Sequence, residues 1–105
     1  MKFKAVLVDD EEHCINTLQW QLEQYFSNEI EIIGKFSKPL DSMEKIFILK
    51  PDIVFTDIQM PEMNGLELAA QLEHIVKHII FTTAYDQFAL KAIKLNALDL
   101  SLIHI

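Results

Sequence analysis

The chain holds little of what breaks or staples a fold. Its one cysteine, Cys14, excludes an internal disulfide and suggests a reducing compartment. Two glycines and three prolines in 105 residues exclude a loop-rich or low-complexity chain. Lysine and arginine together number nine against sixteen aspartates and glutamates, for a formal net charge of -7. So few cations argue against direct nucleic-acid binding, which needs clustered Lys and Arg on phosphates. No apolar run approaches the roughly 18–20 residues of a membrane span. The first such run, residues 5–8, is also too short for a signal-peptide core. The expectation is a cytoplasmic protein with no membrane partner.

What is present is a hydrophobic half and a regular alternation of patterns. The length suits one domain, 1–105, and no repeat or linker divides it. Residues 3–8 form a short run apolar on both faces, as in a buried parallel strand. Asp9-Asp10-Glu11-Glu12 follow, acids placed for a helix start. Cys14/Ile15, Leu18, Leu22 and Tyr25/Phe26 then recur at helical spacing. Residues 30–36 are a second strand, closed by Ser37-Lys38-Pro39, with Pro39 suited to a first helical turn. Leu40, Met43, Ile46/Phe47 and Leu49 outline a second helix, stopped by Lys50-Pro51. Residues 53–56 are a third strand ending at Asp57, and 59–65 read as a loop from their Pro, Asn and Gly. A helix over 66–75, a strand over 78–82, a helix over 86–96 and a strand over 98–103 complete the chain. Strands alternating with helices predict an α/β fold, a doubly wound five-stranded parallel sheet.

In such a sheet a ligand site lies beyond the carboxyl ends of the strands. That rule gathers Asp9 and Asp10, Asp57, Thr82 and Thr83. Three carboxylates sharing a small space disfavour joint ionisation unless a cation neutralises them. Mg²⁺, a hard ion that takes oxygen ligands and keeps waters, suits that donor set. The sequence displays no cysteine or histidine cluster for a softer metal. Asp9 or Asp10 alone could instead cap a helix. Asp57 is harder to explain so, because it precedes a loop.

At these residues the chain resembles the response-regulator receiver family over most of its length, from Val6 to about Leu102. Val8-Asp9-Asp10-Glu11 is similar to the family's acidic pair. Val54-Phe55-Thr56-Asp57-Ile58-Gln59-Met60-Pro61, with Asn64-Gly65, is similar to its phosphoacceptor strand and loop. Phe81-Thr82-Thr83-Ala84-Tyr85 is similar to its switch segment. The run from Phe81 to Asp99 resembles the LytR/AlgR branch, whose receivers usually precede a LytTR DNA-binding domain. The resemblance implies strand order 2-1-3-4-5 and a switch driven by a sensor histidine kinase in a two-component system. It implies Asp57 as phosphoacceptor. Asp9, Asp10, Asp57 and the backbone carbonyl of Gln59 would serve Mg²⁺, Asp9 through a water. Thr83 would be the switch hydroxyl and Ala84 the small neighbour that admits the phosphoryl group. Gln59 and Tyr85 would tune its lifetime. The expected role is a self-phosphorylating phosphoacceptor rather than a turnover enzyme.

The end of the chain departs from that pattern. Ile103 stands where the family carries a phosphoryl-contacting lysine, His104 where it carries proline, and Leu100 where an aromatic is common. The family's last helix is expected to be missing. The resemblance therefore predicts weakened phosphorylation or incomplete activation. It also predicts association through an uncovered sheet face, as a homodimer or strand-swapped oligomer. The alternative function is a degenerate receiver acting as a phosphorylation-independent interaction module. A haloacid-dehalogenase-type phosphatase would need a second Asp where Gln59 stands. A flavodoxin-like cofactor binder would need a glycine-rich phosphate loop. His13, His74 and His78 read as surface or strand-end residues, Cys14 as a small helix-face residue, and Trp20 as an edge or surface residue. Met60 and Met63 read as loop packing, and Phe88, Ile93 and Leu95 mainly as core.

Overall fold

Three strand–helix alternations and two further strands organise the described part of the chain. The structure is a computed structural model and describes residues 2–82 and the backbone of 101–103. In chain order the elements are β1 (Phe3–Val8), α1 (Glu12–Tyr25), β2 (Ile30–Phe36), α2 (Pro39–Leu49), β3 (Ile53–Asp57), α3 (Gly65–Leu72), β4 (His78–Thr82) and β5 (Ser101–Ile103). The sheet has the order β2-β1-β3-β4-β5, and every pairing is parallel. This is the doubly wound arrangement expected. The helix expected over 86–96, and residues 98–100, lie outside the described residues.

The period-two alternation of β1 separates two cores. Ala5 and Leu7 point to one face, where they meet Ile15, Leu18 and Leu22 of α1 together with Ile53 and Phe55. Val6 and Val8 point to the other, against Ile46 of α2, Leu68, Ala69 and Leu72 of α3, and Val54, Ile79 and Phe81. Phe55 and Phe81 are the largest fully buried side chains, one per face. Burial of each such ring contributes about 1.5–3 kcal/mol. The inner strand β3 is therefore buried from Ile53 to Thr56, whereas β2, at the edge, is only half-buried. An extra residue in β2 breaks its register with β1, since Ala5 pairs with Ile32 and Val6 with Gly34.

Three expectations about the helices need correction. In α1, Tyr25 and Phe26 extend the apolar spacing but are exposed, and the buried stripe of Ile15, Leu18 and Leu22 stops before the helix does. In α2, the buried stripe is Pro39, Ser42 and Ile46, with Met43 beside it. Leu40, Phe47 and Leu49 face outward. The helix is apolar nearly all round at its end, so periodicity singles out no unique face there. In α3, the helix begins at Gly65 and stops at Leu72, not Ile75. Both Ile75 and Val76 donate their N–H to the Leu72 carbonyl, which turns the chain and drops Val76 into the core.

Lys50 ends α2 in the left-handed region, at φ 49°, and its N–H closes onto the Ile46 carbonyl. Pro51 cannot continue the helix, and β3 starts two residues later.

Candidate functional site

Strand register brings the acids together. Val8 pairs with Thr56, so Asp9 and Asp57 both lie one residue further on, at the carboxyl edge of neighbouring strands. Side-chain oxygens of Asp9, Asp10 and Asp57 lie within 4.8 Å of one another. Asp57 in turn pairs with Thr82, and Thr82 with Ile103. One row across the sheet therefore runs from Asp57 through Thr82 to Ile103. Thr82 is buried at the end of β4.

Main-chain donors fix the two inner carboxylates. The Glu11 N–H donates to Asp9 Oδ1 at 3.0 Å, and the Asp9 N–H donates to the Phe36 carbonyl at 3.0 Å. The Ile58 N–H donates to Asp57 Oδ1 at 2.8 Å, and the Gln59 backbone also bonds that carboxylate. Beneath it the buried Thr56 hydroxyl donates to the Asp57 carbonyl at 2.9 Å. Asp10 is exposed, at the mouth of the cluster.

The loop after Asp57 is folded back over it. Gly65 donates its N–H to the Ile58 carbonyl at 2.7 Å, which lays the start of α3 against the end of β3. A methyl group at Gly65 would overlap the Asp57 carbonyl oxygen. Asn64 caps the helix: its side chain accepts the Glu67 N–H at 2.8 Å, and Glu67 accepts the Asn64 N–H at 3.1 Å. This reciprocal pair satisfies two donors that the helix start would otherwise leave open. Met60 and Met63 pack from the loop into the core beside α3, as expected.

Burial and mutual repulsion set the electrostatics. Burial, countered by the Glu11 N–H and reinforced by Asp57 and Asp10, pushes Asp9 up to about 6. Asp57 is raised in the same way, by burial first and then by Asp10, against the opposing pull of the Ile58 N–H. Two carboxylates held half-desolvated beside each other, on fixed backbone donors, form a site that favours a cation.

Of the residues expected at the site, Asp9, Asp10 and Asp57 are brought together, and Gln59 follows two residues beyond Asp57 in an exposed loop position. Thr83, Ala84 and Tyr85 lie outside the described residues. Two features escaped the sequence reading. Gly65 is a contact residue of the Asp57 backbone, signalled in the sequence only by the Asn64-Gly65 pair. Cysteine and histidine do cluster: Cys14 and His13 meet Glu11 in the first turn of α1. That grouping was missed because it joins an i, i+3 pair to a sequence neighbour, which no linear metal motif encodes. Burial first, and then the charge of Asp9, pushes the Cys14 thiol up to about 11.

A doubly wound sheet with an acid cluster at the ends of β1 and β3 defines the receiver class of signalling domain. Residues 5–101 match the response regulator receiver domain family, and the chain belongs to that family. It is 44% identical over 96 residues to an uncharacterized response regulatory protein of Vibrio cholerae, covering 90% of this chain and 40% of that protein. It is 43% identical over 98 residues to the sensory transduction protein LytT of Bacillus anthracis, covering 91% of this chain and 39% of that one. The chain thus spans about two-fifths of the length of these relatives. Among solved structures, the response regulatory domain of protein mrkE from Klebsiella pneumoniae superposes with a TM-score of 0.80 at 31% identity, over 94% of this chain and 81% of that one. The receiver domain of NarL from Mycobacterium tuberculosis shares the fold, with a TM-score of 0.81 at 21% identity, over 96% and 83%. No helix among the described residues is long and apolar enough to cross a membrane.

Proposed function

We propose that the chain is a phosphorylation-driven switch in which Asp57 accepts a phosphoryl group from a sensor histidine kinase. The observation that carries this reading is the convergence of Asp9, Asp10 and Asp57 within 4.8 Å at the carboxyl ends of β1 and β3. Membership of the receiver family supports it. Receiver domains are regulatory phosphoacceptors, so the chain is read as a signalling component and not as a turnover enzyme.

In the proposed step an Asp57 carboxylate oxygen attacks the phosphorus of a phosphohistidine. The new O–P bond forms as the P–N bond breaks, and the departing imidazole nitrogen keeps the electron pair and takes up a proton. The Ile58 N–H holds Asp57 Oδ1 and so orients the nucleophile. The fixed backbone donors around the cluster favour negative charge where it accumulates. The donor set, three carboxylates of which two are pushed toward protonation, fits a hard divalent cation. Asp10, Asp57 and the Gln59 carbonyl would hold Mg²⁺ directly, with Asp9 acting through a water. When bound, the ion neutralises carboxylate and phosphoryl charge.

The phosphoryl group adds about -1.5 to -2 charge beside the remaining acids, and relief of that repulsion drives the switch. Thr83 is proposed to turn its hydroxyl to the phosphoryl oxygens, with Ala84 leaving room. The proposed output is transcription through a LytTR-type DNA-binding domain, in keeping with the LytT relatives. One observation favours a second reading, a phosphorylation-independent interaction module. Ile103, at the position of the family's lysine, pairs with Thr82 in the same row as Asp57. That row then lacks a lysine at its β5 position.

Incubation with acetyl phosphate, followed by intact mass, separates the two readings. The switch gains one phosphate-sized increment with Mg²⁺ and none in EDTA. A parent chain that binds Mg²⁺ but gains no mass would leave the interaction module.

A further inference from the structure

We propose that Glu11, His13 and Cys14 form a second cation site, selective for a thiophilic divalent ion of the zinc class, on the outer lip of the acidic cluster. Three different donors converge there. Cys14 Sγ lies 3.6 Å from Glu11 Oε2 and 3.6 Å from His13 Nε2, and His13 Nε2 lies 3.2 Å from Glu11 Oε2. Zinc binds sulfur, imidazole nitrogen and carboxylate oxygen at about 2.0–2.3 Å in a tetrahedron, which places such donors about 3.4–3.6 Å apart. The three separations match the edges of one tetrahedral face to within a few tenths of an ångström.

The local structure explains the convergence. Glu11 is the residue before α1, and it accepts the Cys14 N–H at its own carbonyl, at 3.1 Å. That turn sets the Cys14 thiol over the Glu11 carboxylate, and His13 closes the third side. The His13 and Glu11 side chains are largely exposed, so the fourth coordination position opens to solvent.

The donor chemistry distinguishes this site from the aspartate triad. Three carboxylates suit a hard ion such as Mg²⁺, whereas a thiolate and an imidazole select a borderline or soft one. The two sites share one residue's backbone: the Glu11 N–H holds Asp9 Oδ1 at 3.0 Å while its carboxylate faces Cys14.

The test uses Zn²⁺ alone in titration calorimetry with Mg²⁺ in excess, and Co²⁺ alone as the spectroscopic probe. The parent and Asp57→Asn are expected to bind Zn²⁺ alike and to show the near-ultraviolet sulfur-to-cobalt absorption band. Cys14→Ser should lose that band. Cys14→Ser and His13→Ala should each lower Zn²⁺ affinity roughly tenfold or more. His13→Ala alters an exposed side chain, so it reads the site without risk to the fold; circular dichroism checks Cys14→Ser. Absence of the sulfur band in the parent would overturn the proposal. So would Zn²⁺ binding that survives both substitutions and disappears in Asp57→Asn, which would assign the ion to the aspartates.

Discussion

Gly65 lies against the main-chain carbonyl of Asp57, with no room between them for a side chain. The start of α3 is therefore the support on which the end of β3 rests. Gly65→Ala must push the two apart, and overpacking of this kind costs about 1–3 kcal/mol. A urea melt should show that loss, and Mg²⁺ affinity should fall with it because Asp57 moves. Parent-like stability and Mg²⁺ affinity together would show that the contact does not position the site.

The acids make stability depend on pH in an unusual direction. Asp9 is raised from 3.8 to about 6 in the folded chain. Between those values the folded state holds a proton that the unfolded state has released. The resulting stabilisation is fully present below pH 3.8 and is lost as pH rises through about 6. Solvent at the mouth of the site screens the repulsion, so the expected loss is about 1–2 kcal/mol. Melting in EDTA from pH 4 to pH 7 should show Asp9→Asn gaining on the parent as pH rises, and added Mg²⁺ should shrink the gap. A gap that stays constant across the range would contradict this account of Asp9.

The Asn64–Glu67 pair closes the start of α3. Asn64→Ala removes an N-cap acceptor and should destabilise by about 1 kcal/mol, whereas Asn64→Gly should cost only a few tenths. Equilibrium unfolding of the two variants reads the difference. A parent-like stability in Asn64→Ala would show that the Asn64 side-chain oxygen does not close the start of α3.

Two leucines test the corrected face of the second core. Leu72 of α3 is fully buried, and Leu72→Ala should cost about 2–5 kcal/mol. Leu40 of α2 is 46% exposed, and Leu40→Ala should stay within about 0.5 kcal/mol. A large loss at Leu40 would restore the buried stripe that periodicity suggests.

Much of the fold was legible because the strands carry its strongest signal. The runs 5–8 and 53–55 are apolar without alternation, as strands covered on both faces are, and the alternating elements then dictate a parallel sheet. The convergence of Asp9, Asp10 and Asp57 followed from strand ends alone. What was not legible depended on three-dimensional neighbours. The outward face of Leu40 and Phe47 is decided by where α2 sits on the sheet, not by a helix that is apolar on most sides. The early end of α3 is decided by Val76 seeking the core. The grouping of Glu11, His13 and Cys14 needs side-chain directions that spacing does not give.

Chemical trapping of the product tests whether Asp57 is the phosphoacceptor. Borohydride reduces an aspartyl phosphate to homoserine, so peptide mass spectrometry after acetyl phosphate treatment identifies the modified residue. Homoserine is expected at position 57, dependent on Mg²⁺ and absent from Asp57→Asn. Homoserine at Asp9 or Asp10, or at no position under conditions where Mg²⁺ binds, would contradict it.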